Sequence, residues 1–338
     1  MDDVPSRAAW FDPALHAWIL SSHDDVSAAL REPRLAAADS HDQETAHLAV
    51  RGAVAHSLSA DRLAGWRDGF ERSARQRAAN LPADRPVDLV ASFAGPWSLG
   101  LAVTVTGASP AGAAALARLA RDVFLAAASG TGSGTGPEAE AAAVELARRL
   151  PGAAATVNVQ TFVALSQTLP HLLAGAWLAL FGNPAAALRL RTEPGLMPQA
   201  VEELLRHGGP SRAVFRRALA EVRIGRARIR AGDRVVLMLA AANRDSAGFS
   251  HPDPMDFGRP AGQHLAFGGG LHTCAGARLI RMAVGVATDA LLSTTDAVEL
   301  TGPVEWISGF AIRAPASLPA VLRRPAPDHL WPAASTAL

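Results

Sequence analysis

The residue with the most chemical potential in this sequence is its one cysteine. It sits in the run Phe267-Gly268-Gly269-Gly270-Leu271-His272-Thr273-Cys274-Ala275-Gly276-Ala277-Arg278-Leu279-Ile280-Arg281. The three glycines ahead of Cys274 permit a tight turn that brings backbone N–H groups close to a ligand atom. A helical pattern starts just after the cysteine, so the positive end of that helix faces the sulfur and favours a thiolate over a thiol. A thiolate is the ligand a haem iron needs when electron density must be pushed toward O–O cleavage. Outside such a setting, a lone cysteine is a small buried hydrophobe.

The segment resembles the haem-binding signature of the cytochrome P450 family, Phe-Gly-x-Gly-x-His-x-Cys-x-Gly-x-x-Leu-Ala-Arg. Phe267, Gly268, Gly270, His272, Cys274, Gly276, Leu279 and Arg281 match, and Ile280 stands where the family has Ala. The resemblance implies a haem b cofactor with Cys274 as the proximal iron ligand, and Phe267 and Gly268 beside it. It also implies donors for the two haem propionates, a task that suits the planar fork of Arg. Pro210 followed by Arg216 resembles the family segment that passes over the haem. His47 and Arg51, four apart on a helix, resemble its His-x-x-x-Arg pair, and His272 makes a fourth donor.

Glu203-Leu204-Leu205-Arg206 places a carboxylate and a guanidinium three apart on one helix face. Such pairs are usually solvated and worth little. This one resembles the family's Glu-x-x-Arg helix, and Arg259 resembles the third member of that buried network. All three are expected to be scaffold residues. The stretch Ala242-Asn243-Arg244-Asp245 with Phe249 and Pro252, and the stretch from Gly309 to Pro319, resemble the family too. The likeness is densest from Asn183 to Pro319.

The run Ala164-Leu165-Ser166-Gln167-Thr168-Leu169-Pro170 resembles the family's oxygen-activation segment, with a difference in chemistry. Thr168 keeps the hydroxyl and Gln167 replaces the carboxylate, which makes these two the candidate catalytic residues. A carboxylate relays protons because it titrates, whereas Gln only orients water. Pro170 lacks an N–H, so the Ser166 carbonyl loses its helical partner and a kink is expected there. Leu165, Leu169, Val214, Phe215 and Phe310 are the expected apolar lining of a substrate pocket.

These residues need a large, mostly helical frame. The 338 residues are 49% hydrophobic, and 32 basic residues stand against 31 acidic, for a net charge of +1. That balance gives no whole-chain case for nucleic acid or an anionic membrane surface. One cysteine forms no internal disulfide. The apolar run Thr161–Phe181 is long enough for a membrane span. However, Ser166, Gln167, Thr168, Pro170 and His171 crowd its middle, where polar groups are costly in lipid. No signal peptide is apparent, and a cytoplasmic, monomeric protein is expected.

The pattern predicts a strand at Ala17–Leu20 and a helix carrying Val26, Ala29 and Leu30. Helices follow from His47 to about Leu81, over Leu89–Val105, over Thr161–Phe181, around Val201–Arg206 and over Ala275–Leu292. Strands are expected at Ala220–Ile229, Arg234–Leu239, Ile307–Ile312 and Val321. Gly130–Gly136 reads as a flexible loop. The expected class is mainly α with small β-sheets: one cytochrome P450 domain over residues 1–338. Its N-terminus, the stretch between Pro33 and His47, and the stretch between Arg149 and Thr161 are all shortened. Those segments normally roof the distal pocket, so a more open site is expected.

The resemblance implies a monooxygenase that takes electrons from a ferredoxin-type partner, with Arg278 and Arg281 near the docking face. Its substrate would be an apolar small molecule, free or tethered to a carrier protein. The missing carboxylate leaves open a peroxide-driven or oxygen-independent haem-thiolate enzyme. The shortened segments leave open a non-catalytic haem-binding protein.

Overall fold

The computed structural model describes residues 9–37, 40–129, 136–151 and 155–324. Strands β1 (Trp10–Asp12) and β2 (Ala17–Leu20) come first, followed by α1 (His23–Arg31). Ser22 caps α1 by accepting from the Asp25 N–H, and Asp24 and Asp25 complement its positive end. Val26, Ala29 and Leu30 are its buried face, as the spacing predicts.

After the two-residue strand β3 (Leu35–Ala36) come α2 (His41–Ser57) and α3 (Ala60–Ala79). The helix expected from His47 to Leu81 therefore begins earlier, at a Ser40 cap, and is broken where Ser59 turns extended. Strand β4 (Pro86–Asp88) and a π turn at Val90–Ala94 lead into α4 (Gly95–Thr106). Next are α5 (Ala113–Ser129) and α6 (Pro137–Arg149). The glycine-rich loop expected between them, at residues 130–135, lies outside the described residues.

The central helix is α7 (Ala155–Val163), a π turn at Ala164–Thr168, and α8 (Leu169–Phe181). It begins before the expected Thr161, so the connection from Arg149 is short; residues 152–154 of it lie outside the described residues. The chain continues through α9 (Pro184–Thr192), α10 (Met197–Gly208) and β5 (Val214–Ala218). The strand expected over Ala220–Ile229 is a hairpin, β6 (Val222–Ile224) and β7 (Ala227–Ile229), turning at Gly225 with φ 53°. Then come β8 (Arg234–Leu237), α11 (Leu239–Ala242), the cysteine segment and α12 (Ala277–Thr294). The last strands are β9 (Ala297–Leu300), β10 (Trp306–Ser308), β11 (Arg313–Pro315) and β12 (Pro319–Arg323).

The largest sheet has the order β1-β2-β8-β5-β3, with β2 parallel to β8 and the other pairs antiparallel. A three-stranded sheet, β4-β12-β9, ties the C-terminal strands to the start of the helical layer. Helix α8 runs through the core. Trp177 is fully buried, stacks on Phe93 at 5.4 Å and donates its Nε1–H to Thr288 Oγ1 of α12 at 3.1 Å. Thr156–Phe181 is long and apolar enough to cross a membrane by length and composition. Here it is the central core helix, and its apolar side chains pack against α4, α10 and α12.

Helices α8 and α10 approach so closely that a Cβ on Gly175 would overlap the Gly208 carbonyl. Because that carbonyl is backbone, the helices would have to separate. Gly175→Ala is therefore expected to lower stability by about 1–3 kcal/mol, the usual range for overpacking. Urea unfolding would show this, and an unchanged midpoint would contradict the close crossing.

Candidate active site

Residues Leu265–Gly276 wrap a loop over the end of α1. Gly268 and Gly270 take left-handed φ of 67° and 61°, and a Cβ on Gly270 would overlap the Leu30 carbonyl. Only glycine fits there. The turn is closed by Cys274 N–H donating to the Phe267 carbonyl at 2.8 Å and Gly268 N–H to the Leu265 carbonyl at 2.9 Å. Burial pushes the Cys274 thiol up, while the Gly276 N–H and the charges of Arg51 and Arg281 act downward. Helix α12 starts only at Ala277, three residues past Cys274 and directly after Gly276.

Beside this loop the structure gathers Arg216, His47, Arg51 and His272. The His47 and His272 rings lie 5.5 Å apart. Burial, together with neighbouring guanidinium charges, pushes both imidazoles down. Arg51 Nε donates to the Leu271 carbonyl at 3.4 Å and its Nη2 to the Thr273 carbonyl, so it ties α2 to the loop. Arg216 is buried; its Nη1 donates to the Phe215 carbonyl at 2.7 Å, and its Nε has no partner. Burial holds that guanidinium at about 10. A buried cation with an unmet donor calls for an anion. A carboxylate-bearing group seated against Cys274 therefore fits the residues present.

Sequence reasoning missed one member of this cluster. Glu44, in the first turn of α2, is buried; its Oε1 lies 2.6 Å from His272 Nε2, and its Oε2 accepts the Ala37 N–H at 2.9 Å. An acid in a first helical turn reads from sequence only as a partner for the helix dipole.

The scaffold network is assembled in full. Glu203 and Arg206 are only 3% and 4% exposed. Arg206 donates from Nε and Nη2 to the two Glu203 oxygens, each at 2.8 Å, and from Nη1 to the Asn243 carbonyl at 2.8 Å. Arg259 Nε and the Asp256 N–H also donate to Glu203, at 3.2 and 3.0 Å. Asn243 Oδ1 then accepts the Leu265 N–H at 2.7 Å, which links the network to the start of the cysteine loop. Arg281 is bound to Glu202 at 2.6 Å, and its guanidinium lies 4.7 Å over the Phe267 ring. Burial would raise the Glu202 carboxyl, but hydrogen bonds from His264 and Arg281 hold it at about 2. Arg281 is thereby engaged within the fold.

On the central helix, the break expected at Pro170 takes the form of a widened turn: the Leu169 N–H donates to the Ala164 carbonyl, five residues back. Ala164 is exposed, and Gln167 and Thr168 are half-buried. Leu165 and Leu169, expected to line the pocket, are buried in the main core instead. The Gln167 Nε2 donates to the Ala117 carbonyl of α5 at 3.1 Å and to Ser166 Oγ at 3.3 Å. His171, one turn on, was also passed over. Its Nδ1 lies 2.9 Å from the Pro315 carbonyl, and its ring stacks on Phe124 at 5.7 Å.

Val214 and Phe215, expected on one pocket wall, point to opposite faces of β5 because strand side chains alternate. Val214 packs against the cluster that includes Leu30 and Leu265, whereas Phe215 meets Phe310 at 5.8 Å. The end of α5 closes directly onto the β10–β11 hairpin. The Ala311 N–H donates to the Ala128 carbonyl at 3.3 Å, and a Cβ on Gly309 would overlap that carbonyl.

A glycine-built loop around one cysteine, beside a buried cluster of cationic side chains, is the arrangement that a thiolate-ligated haem would call for. Residues 189–298 match the family model for cytochrome P450. The chain is 38% identical over 159 residues to 20-oxo-5-O-mycaminosyltylactone 23-monooxygenase of Streptomyces fradiae, a match covering 47% of this chain and 37% of that relative. It is 29% identical over 331 residues, 82% of each chain, to cytochrome P450 107B1 of Saccharopolyspora erythraea. A solved structure of P450BioI in complex with an acyl carrier protein ligated to hexadec-9Z-enoic acid superimposes with a TM-score of 0.79. That pair is 22% identical, with 91% of this chain and 92% of that one covered. The fold is that of the cytochrome P450 structures, and residues 189–298 match that family's model. The chain matches well under half the length of the first of these relatives.

Proposed function

We propose that the protein is a haem-thiolate monooxygenase holding haem b, with Cys274 as the iron ligand and Arg216, His47 and His272 facing the propionates. It inserts one oxygen atom into an apolar small molecule of secondary-metabolite type. The single observation that carries the reading is the widened turn at Ala164–Thr168, in which Thr168 is half-buried. Such turns in an otherwise regular helix occur mostly at functional sites. A bound haem iron supplies dioxygen binding and activation.

The protein's own share is placement and proton supply. The Thr168 hydroxyl is the donor at the turn. The Gln167 amide, fixed on Ala117 and Ser166, orients the Ser166 hydroxyl and holds α5 against the turn. The arginines of the cysteine loop brace its fold: Arg281 is engaged by Glu202, and Arg278 remains on the rim. A ferredoxin-type partner docks on that face, where exposed Arg278 complements an acidic surface while Arg67 and Arg75 lie against Glu71 and Asp289. The carrier-bound substrate of the P450BioI complex supports a carrier-tethered substrate here too. The chain is read as one soluble, cytoplasmic, monomeric domain.

Gln167→Ala is expected to leave haem content and substrate affinity near wild type while a larger share of NAD(P)H consumption ends as hydrogen peroxide. Product and peroxide yields per NAD(P)H consumed measure this. Gln167→Glu sets a carboxylate against the Ala117 carbonyl, so no gain in coupling is expected. Gln167 cannot titrate, and this favours a second reading as a peroxide-driven enzyme. The two readings separate on one comparison. Turnover with ferredoxin, reductase and dioxygen supports the first. Turnover with peroxide alone overturns it.

A further inference from the structure

We propose that Glu44 is a positioning residue that clamps Ala37, at the end of β3, and the first turn of α2 onto the cysteine loop, and that its negative charge opposes retention of the haem propionates. The second half rests on the haem reading above; the first does not. One carboxylate joins three parts of the chain. It belongs to the first turn of α2, its Oε2 accepts the Ala37 N–H at the end of β3, and its Oε1 lies 2.6 Å from His272 Nε2 in the cysteine loop. Only residues 37–40 connect β3 to α2. The Glu44 bridge fixes Ala37, the residue that follows β3, to the first turn of α2.

The bridge changes the charge balance of the site. Arg51 and Arg216 are the permanent cations facing it, from α2 and β5, with the imidazoles of His47 and His272 alongside. Glu44 is 6% exposed among them and offsets one of those two charges before any propionate arrives. It also occupies the Nε2 edge of His272, a donor the family resemblance assigns to a propionate. Arg216, whose Nε lacks a partner, is then the main grip on the cofactor. A like charge left beside a bound anion in a poorly solvated site weakens the binding of that anion.

Glu44→Gln separates the two roles. The amide oxygen still accepts the Ala37 N–H, and the amide nitrogen can donate to His272, so the clamp stays while the charge goes. Transfer of haem from the holoprotein to excess apomyoglobin, followed in the Soret region, should slow on the order of tenfold. An unchanged or faster transfer overturns the charge role. Glu44→Ala removes the clamp as well. In hydrogen exchange followed by mass spectrometry, the amides of residues 35–44 should lose protection in Glu44→Ala and keep it in Glu44→Gln. Equal protection in wild type and Glu44→Ala, or a loss of protection in Glu44→Gln, overturns the clamp. Hydrogen exchange needs no cofactor, so a wild type without haem would sink the haem reading and the charge role while the clamp is still decided.

Discussion

Glu203→Ala is expected to yield little folded protein and a haem-poor remainder that melts far below the wild type. The carboxylate accepts two hydrogen bonds from Arg206, one from Arg259 and one from the Asp256 N–H, at a site almost closed to water. Removing it leaves Arg206 charged and buried with only the Asn243 carbonyl and His207 as partners. Breaking a buried pair from one side costs about 3–5 kcal/mol, a large part of a typical protein's whole stability. The damage reaches the cysteine loop through Asn243, which holds the Leu265 N–H. Denaturant unfolding and the ratio of haem to protein measure the effect. A well-folded, fully haem-loaded Glu203→Ala would contradict it.

The same network has a pH signature. Burial alone would raise the Glu203 carboxyl, but hydrogen bonds from Arg206, His207 and the Asp256 amide hold it well below the usual carboxylate range. A folded-state value below the unfolded one gives stability that is present above the unfolded pKa. That stability is lost as pH falls from the ordinary carboxylate range, about 4, toward the folded value. Glu203→Gln should therefore be less stable than wild type at neutral pH and lose less on acidification.

How much of this was legible from sequence depended on whether a residue acts through its neighbours along the chain. The cysteine loop was, because its turn needs Gly268 and Gly270 at fixed offsets from Cys274, and φ preference is local. Glu203, Arg206 and Arg259 were legible only through resemblance, since i,i+3 pairs are common on solvated faces and nothing local distinguishes a buried one. Glu44 was not, because its partners Ala37 and His272 come from a different element and a distant loop. The widened turn was half legible. Pro170 signals a lost hydrogen bond, but whether the helix kinks or widens depends on how α4 and α5 pack around it. Pocket residues were not legible: Leu165 and Leu169 lie among both polar and apolar neighbours, so composition does not say which side faces the core, where both are buried. On β5, alternation could have separated Val214 from Phe215 had that stretch been recognised as a strand.

Cys274→Ala is the other substitution with a large expected effect. It takes away the one thiol of the chain while leaving the propionate cluster and the Glu203 network intact. The backbone turn is set by glycines and by the Cys274 N–H, which alanine keeps, so the protein should stay folded. Haem should then be held weakly, by Arg216 and its neighbours alone, and all turnover should cease, because the iron has lost its thiolate donor. Burial pushes the Cys274 thiol up in the absence of metal, so a bound iron must itself sustain the ionised sulfur. The spectrum of the reduced carbon monoxide complex of purified wild-type protein reads that bond directly. The expected result is the red-shifted Soret band of a thiolate-ligated haem, missing in Cys274→Ala; a wild-type band at the position of a histidine-ligated globin would contradict it.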